Sequence, residues 1–166
     1  MITDPPYPKE FLPVFTELAK GCKAAGVPLV AVMSGQSYLP EVMRRLCEHL
    51  RYRWTLAYMT PGGSCRIWPV KIDCQWKPVF LFGEASEVVF DVFRSDASEK
   101  RFHEWGQSLS GMADLVERLT KPGQLVCDPF LGAGSTAVVS LKLGRRFVGC
   151  DVNADCVQQA REWVTV

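Results

Sequence analysis

Apolar residues recur along the chain at two spacings, and the two spacings alternate. A spacing of three or four residues predicts helices over 11–25, 39–50, 109–119, 136–143 and 155–163. Continuous or alternating apolar runs predict strands over 27–33, 51–60, 78–82, 125–127 and 146–150. Ser37 is placed to cap the second helix, while 61–75 is predicted to be a long loop and 84–102 a surface connection. Strands that alternate with helices predict an α/β fold with a mostly parallel sheet.

The length and composition are those of one globular domain. The 166 residues suffice for one hydrophobic core, with 48% hydrophobic and 22% charged residues. No apolar run reaches membrane-spanning length and no signal peptide is evident, so we expect a cytoplasmic protein. Seven cysteines without a C-x-x-C pair, together with two histidines, argue against a zinc site and for reduced thiols.

Basic charge is concentrated in one stretch of the chain. The formal net charge is only +1, yet between Arg44 and Lys77 seven basic residues accompany two acidic ones. Aromatic residues are interleaved with these cations, namely Trp54, Tyr58, Trp68 and Trp76. Cations neutralise phosphates and aromatic rings stack on displaced bases, which favours contact with nucleic acid. The alternative interpretation is a solvated helix face followed by a strand whose aromatic residues belong to the core.

The C-terminal third has the order of a nucleoside-cofactor site. A predicted strand ends at Cys127, a glycine-rich turn follows, and a helix and a further strand lead to Asp151. Gly132 and Gly134 allow a ligand to approach the backbone closely, and a carboxylate at Asp151 can accept both hydroxyls of a ribose. The turn lacks the third glycine of the dinucleotide fingerprint, and many strand-to-helix turns use glycine for structure alone.

Two motifs resemble those of the DNA amino-methyltransferase family. The run 125–160 is similar to the family's S-adenosylmethionine-binding region, where Asp-Pro-Phe-x-Gly-x-Gly-(Ser/Thr) precedes an Arg-Phe-x-Gly-x-(Glu/Asp) strand. Here these motifs occupy 128–135 and 146–151, and the family's catalytic tetrapeptide is Asp4-Pro5-Pro6-Tyr7. The tetrapeptide precedes the cofactor motif, and the resemblance covers nearly the whole chain. It therefore implies a circularly permuted (beta-class), Rossmann-like methyltransferase fold with helices on both faces of the sheet.

The resemblance also implies which residues form the sites. The catalytic residues would be Asp4, Pro5, Pro6 and Tyr7. S-adenosylmethionine would be bound by Asp128, Pro129, Phe130, Gly132, Gly134, Ser135 and Asp151, and its methionine end by His103 and Gln107. The family recognises its target between the two motifs, where double-stranded DNA would be contacted by Arg51, Arg53, Arg66, Trp68 and Lys71. No metal is implied.

In this family the tetrapeptide acts on an exocyclic amino group. The Asp4 carboxylate and the Pro5 carbonyl would accept its two N–H bonds, so that the nitrogen lone pair points at the cofactor's methyl group. Two prolines stiffen the backbone, and Tyr7 would stack on a base flipped out of the duplex. Aspartate in the first position favours adenine N6, whereas serine would favour cytosine N4. Cytosine C5 chemistry uses a Pro-Cys pair, and none of the seven cysteines follows a proline.

The N-terminus departs from the family pattern. Only three residues precede Asp4, where complete members have a full strand and an acidic cofactor-binding loop. We therefore expect a truncated member with weak cofactor affinity, divided into a catalytic half (1–60), a short recognition region (61–102) and a cofactor half (103–166). The short recognition region leaves a homodimer or a specificity partner open, and the role in restriction, host modification or phage protection is equally open.

Two other functions stay open from the residues alone. The first is a methyltransferase that acts on RNA or on a protein amide, which Asp4 and the motif order disfavour. The second is a non-catalytic remnant that binds DNA or a partner and has lost turnover.

Overall fold

A computed structural model describes residues 1–59, 65–68, 70–84, 89–95 and 108–165. The strands in these ranges are β1 (Ile2–Thr3), β2 (Leu29–Met33), β3 (Tyr52–Met59), β4 (Cys65–Ile67), β5 (Ile72–Cys74), β6 (Trp76–Gly83), β7 (Val92–Arg94), β8 (Leu125–Asp128) and β9 (Arg146–Gly149). The helices are α1 (Leu12–Ala24), α2 (Leu39–Cys47), α3 (Leu109–Leu119), α4 (Ser135–Lys142) and α5 (Ala154–Val164), and a 3-10 turn (Lys9–Phe11) precedes α1. Within these ranges no helix is long and apolar enough to cross a membrane.

The main sheet has the strand order β1-β2-β6-β3-β7. β1 pairs parallel with β2, and β3 pairs parallel with β7. β6 is antiparallel to both of its neighbours, β2 and β3. β8 and β9 form a separate parallel ladder. The Thr3 hydroxyl at the end of β1 reaches Asp128 at the end of β8, so the carboxyl ends of these two strands lie together.

Side chains alternate between two cores, one on each face of the main sheet. In β2, Val30 and Val32 join the cluster formed with α1 and α2, whereas Ala31 and Met33 join the cluster formed with α3 and α4. β6 repeats this alternation, with Phe80 on the first face and Leu81 on the second. Both faces are buried because helices cover both, which explains why the central strands have nearly continuous apolar sequences.

Two predicted connections contain strands. The segment predicted to be a long loop (61–75) includes the β4–β5 hairpin, in which Arg66 pairs with Asp73. The segment predicted to be a surface connection (84–102) includes β7, whose Phe93 is fully buried. Each of these strands has three residues, which is too short for an alternating pattern to stand out. Both predictions were wrong for this reason.

The capping prediction was also wrong. The N-cap residue of α2 is Tyr38 and no side chain caps this helix, so Ser37 does not do so. Pro40 lies in the first turn, where a missing N–H costs nothing, and this residue helps to start the helix instead.

Candidate active site

The carboxyl ends of the parallel strands β1, β8 and β9 bring both motifs together; this end of the strands is called the edge below. Asp4 follows β1, Asp128 ends β8 and Asp151 lies just beyond β9. The Thr3 hydroxyl donates to Asp128 Oδ1 over 2.6 Å, a contact between residues 125 positions apart. Because β6 runs antiparallel, its first residues reach this edge, and Lys77 is among them. The tetrapeptide and the glycine turn therefore border one site.

Asp4 is held by two neighbouring side chains. The Tyr7 hydroxyl donates to Asp4 Oδ1, and Lys77 Nζ lies 3.8 Å from Asp4 Oδ2. The same Nζ lies 5.2 Å from the centroid of the Tyr7 ring. Burial, followed by the charge and hydrogen bond of Asp4, raises the pKa of Tyr7 well above its usual value. The phenol is therefore a neutral donor, and the Asp4 carboxylate is positioned by this phenol and by a cation.

The Tyr7 ring lies against the backbone of the loop that follows β2. A Cβ built on Gly35 would lie 3.1 Å from Tyr7 Cδ2 and 3.2 Å from its Cγ, closer than most real contacts. Pro5 is buried and Pro6 is half-buried. Since neither proline has an N–H, the shape of this loop depends on such packing contacts more than on backbone hydrogen bonds.

The glycine turn is held by the Asp151 carboxylate. Gly132 N–H donates to Asp151 Oδ2 over 2.8 Å, and Asn153 N–H donates to Oδ1 over 2.9 Å. Asp151 is half-buried, so its outer side remains accessible. Each carboxylate oxygen can accept a second hydrogen bond, which suits the paired hydroxyls of a ribose.

The two glycines of the turn have different surroundings. Both have a positive φ, +50° at Gly132 and +94° at Gly134. A Cβ on Gly134 would lie 2.6 Å from the Cβ of Ala160, so this glycine is needed for α5 to pack on the turn. A Cβ on Gly132 would meet no atom within 4 Å. Gly132 therefore presents bare backbone to open space beside Asp151, which fits the close approach of a nucleoside cofactor.

Asp128 points into the protein. It is 3% exposed, and its Oδ1 accepts from the Thr3 hydroxyl and, over 3.1 Å, from Phe130 N–H. Burial raises the pKa of this carboxyl, and hydrogen bonds from Thr3, Thr136 and Phe130 oppose that rise. The carboxylate is thus occupied by protein groups, and its contribution is to hold the turn in shape.

The remaining predicted cofactor residues are only partly placed. Pro129 and Phe130 are half-buried in the turn, and Ser135 is buried as the first residue of α4. His103 and Gln107 lie outside the described residues. In the part of the chain that the structure describes, no group of His, Cys, Asp and Glu is arranged to hold a metal ion.

β3 divides the predicted DNA contacts into two groups. Arg66, Trp68 and Lys71 belong to the β4–β5 hairpin, which connects β3 to β6 at the catalytic edge. Arg51 and Arg53 lie at the start of β3, at the opposite edge. An eight-residue strand spans roughly 25 Å. The hairpin residues therefore follow the end of β3 that lies on the same side of the sheet as Asp4, whereas the two arginines lie at the opposite end of that strand.

The hairpin exposes an aromatic residue beside a fixed cation. Trp68 is 67% exposed, and the Arg66 guanidinium carbon lies 5.9 Å from the centroid of its ring. The Arg66 guanidinium is itself paired with both carboxylate oxygens of Asp73 at 2.8 Å. The hairpin thus presents an accessible flat ring with a cation beside it.

Sequence reasoning missed Thr3, Gly35 and Lys77 as parts of this site. Thr3 directly precedes the tetrapeptide, so its position alone could have drawn attention to it. Gly35 follows a buried parallel strand, where site residues often occur. For Lys77 the sequence contains no such signal, because its approach to Asp4 depends on the reversed direction of β6.

Comparison with known proteins gives a consistent result. A family model described as DNA methylase matches residues 67–162. The type II methyltransferase M1.MboII of Moraxella bovis is 53% identical over 51 residues, which cover 28% of this chain and 20% of that protein. The putative methylase YubD of Escherichia coli K12 is 37% identical over 62 residues, which cover 37% of this chain and 27% of that protein. The matched segments thus span about a quarter of these relatives or less.

Solved structures match almost the whole chain. The M1.HpyAVI–SAM complex superposes with a TM-score of 0.78 at 18% identity, covering 99% of this chain and 87% of that chain. The cytosine-N4-specific PvuII DNA methyltransferase superposes with a TM-score of 0.76 at 16% identity, covering 96% and 77%. At such identities the likeness establishes the fold, and the predicted Rossmann-like methyltransferase architecture is confirmed.

Proposed function

Since the chain belongs to the DNA methylase family, whose members methylate adenine N6 or cytosine N4, we propose that it transfers a methyl group from S-adenosylmethionine to an exocyclic amino group of double-stranded DNA. Adenine N6 is the preferred acceptor, because the tetrapeptide begins with Asp4. The observation that best supports the proposal is the hydrogen bond between Thr3 and Asp128, because it joins the residue before the tetrapeptide to the glycine turn.

The chain's own residues account for both halves of the reaction. When bound, S-adenosylmethionine supplies an electrophilic methyl group. Asp151 and the open backbone at Gly132 would hold its nucleoside part. Asp4 would accept one N–H of the target amino group and the Pro5 carbonyl the other, so that the nitrogen lone pair faces the methyl carbon. Attack on that methyl group would release the neutral thioether S-adenosylhomocysteine, and the proton that the methylated nitrogen must lose would pass through the Asp4 carboxylate to water.

The target amino group and the Tyr7 hydroxyl would share the Asp4 carboxylate. The Tyr7 hydroxyl donates to Asp4 Oδ1, so a target amino group can donate to Oδ2, add a second hydrogen bond at Oδ1, or displace the hydroxyl. Released from Asp4, the Tyr7 ring could still stack on the flipped base.

The β4–β5 hairpin, with Arg66, Trp68 and Lys71, would contact DNA beside the site. A DNA substrate and free cysteines (Cys22, Cys47, Cys74, Cys127, Cys150 and Cys156) suit a cytoplasmic location.

Methyl transfer itself is the test. The full chain is incubated with unmethylated duplex DNA and labelled S-adenosylmethionine, and the digested nucleosides are analysed by mass spectrometry. N6-methyladenine is the expected product, and N4-methylcytosine would reassign the acceptor. Absence of both products, under conditions where calorimetry shows that the cofactor is bound, would refute the proposed activity.

A further inference from the structure

Thr3 links β1, the strand that leads into the tetrapeptide, to the glycine turn (128–135), called the cofactor turn below because of its proposed role. It directly precedes Asp4 and is 1% exposed, and its hydroxyl donates to Asp128 Oδ1 over 2.6 Å. The same oxygen accepts from Phe130 N–H over 3.1 Å. One carboxylate oxygen therefore connects the residue before the catalytic aspartate with the first turn of the cofactor motif.

Backbone pairing does not supply this connection. In the described ranges β1 pairs only with β2, and β8 pairs only with β9. β1 itself has two residues, which limits how firmly its own ladder can position the loop that follows. The position of Asp4 relative to the glycine turn thus depends strongly on the Thr3–Asp128 hydrogen bond, which is buried and charge-assisted and therefore strong and directional.

We infer that Thr3 is a positioning residue, whose hydroxyl holds the Asp4 loop in register with the cofactor turn so that methyl acceptor and methyl donor meet at reaction distance. This inference rests on the proposed function. Thr3 touches neither reactant and acts through Asp128 and Asp4. In-line transfer is sensitive to alignment, and a displacement of about 1 Å can cost a hundredfold in rate.

The substitution Thr3→Val removes the hydroxyl and keeps the volume, while Thr3→Ser keeps the hydroxyl and is the matched control. With saturating cofactor and duplex DNA, we expect kcat to fall about 10- to 100-fold in Thr3→Val and to stay within about threefold of the unsubstituted chain in Thr3→Ser. The KM values for cofactor and DNA should change less than about threefold in both. Thr3→Ala, which leaves room for a water beside the carboxylate, replaces Thr3→Val if that variant does not fold.

Hydrogen exchange provides a readout that does not need turnover. In the cofactor-free protein, two hydrogen-bonded amides report on the two sides of the link: Ala31 N–H donates to Met1 O beside β1, and Phe130 N–H donates to Asp128 Oδ1. Both should exchange about tenfold faster in Thr3→Val than in Thr3→Ser. Amides in the middle of β3 should exchange at the same rate in both variants, which separates local loosening from a general loss of stability.

Each outcome decides one question. Inactivity of the unsubstituted chain with the cofactor bound would refute the proposed function, while the exchange experiment would still decide whether Thr3 positions the loop. Equal exchange at Ala31 and Phe130 in the two variants would overturn the inference about Thr3. So would an unchanged kcat in Thr3→Val, an equal loss in Thr3→Ser, or a loss confined to the KM for cofactor.

Discussion

The proposed catalytic loop (4–7) and the proposed cofactor turn (128–135) lie close together at the carboxyl ends of their strands but are built in opposite ways. In the loop, polar side chains pair with other side chains, because Asp4 is contacted by Tyr7 and Lys77. In the turn, side chains accept hydrogen bonds from the backbone, because Asp128 and Asp151 accept N–H groups of the turn and of the loop after β9. The loop should therefore be sensitive to the chemical identity of its residues, and the turn to the backbone conformation that its residues permit.

The largest expected effect is on the catalytic loop. Asp4→Ala removes the acceptor for the target amino group, and we expect kcat to fall by about a thousandfold. Cofactor affinity by calorimetry should stay within about threefold, since Asp4 is not part of the turn. Asp4→Asn is the control, because its amide retains one oxygen acceptor and should lose less. Equal turnover in Asp4→Ala and the unsubstituted chain would remove Asp4 from the mechanism.

The next effect is on the turn, where two glycines form a matched pair. Gly134→Ala puts a Cβ 2.6 Å from Ala160 Cβ and 3.0 Å from its Cα at a φ of +94°, so we expect a loss of about 2–4 kcal/mol in the free energy of unfolding. Gly132→Ala has a similar backbone strain and no clash, and should lose only about 1 kcal/mol.

Denaturant unfolding measures both losses, and calorimetry measures cofactor binding. Gly132→Ala should weaken cofactor binding more than its small loss of stability suggests, because its methyl group enters the open space beside Asp151. Equal losses of stability in the two variants would show that packing against α5 does not distinguish these glycines.

A smaller effect is expected where Tyr7 packs against the loop that follows β2. Gly35→Ala places a Cβ about 3 Å from the Tyr7 ring, which must shift and carry its hydroxyl away from Asp4. We expect kcat to fall about tenfold with the cofactor dissociation constant unchanged. Gly21→Ala is the control, because a Cβ there meets nothing within 4 Å and alanine favours helix α1. Unchanged turnover in Gly35→Ala would mean that the tyrosine position is unimportant.

The smallest effect concerns the free energy of unfolding at high pH and comes from the buried phenol of Tyr58, near the end of β3. Burial raises the pKa of Tyr58 to about 12. The unfolded chain, with an ordinary pKa near 10, loses this proton first, so deprotonation favours unfolding and stability falls as the pH rises from about 10 toward 12. Relative to Tyr58→Phe, the unsubstituted chain should lose about 1 kcal/mol more by pH 11. Parallel stability curves for the two proteins would contradict this.

The sequence predicted the parts of the molecule in which local pattern and structure agree. The helix over 109–119 was predicted with the bounds it has, because its apolar spacing is regular. The turn at Gly132 and Gly134 was predicted because a positive φ restricts the choice of residue. Local pattern failed for β7, whose buried position comes from pairing with β3 and not from its own sequence.

The sequence could not predict which distant residues come together at the candidate site. Arg53 and Arg66 are close in sequence, yet Arg53 lies at the start of β3 and Arg66 lies in the hairpin that follows the other end of that strand. Lys77 approaches Asp4 only because β6 runs against its neighbours, and strand direction is not encoded in apolar spacing. The motifs thus predicted the chemistry of the site, while the topology determined which further residues reach it.

The reversed direction of β6 has an evolutionary consequence. Met59 and Trp76 are paired partners, so both ends of the intervening segment are anchored side by side at the edge that holds Asp4. The entropic cost of a longer connection grows only slowly with its length. This segment can therefore be lengthened, shortened or exchanged without displacing a strand. Under the proposed function, new target preferences would arise there while the residues proposed for methyl transfer stay in place.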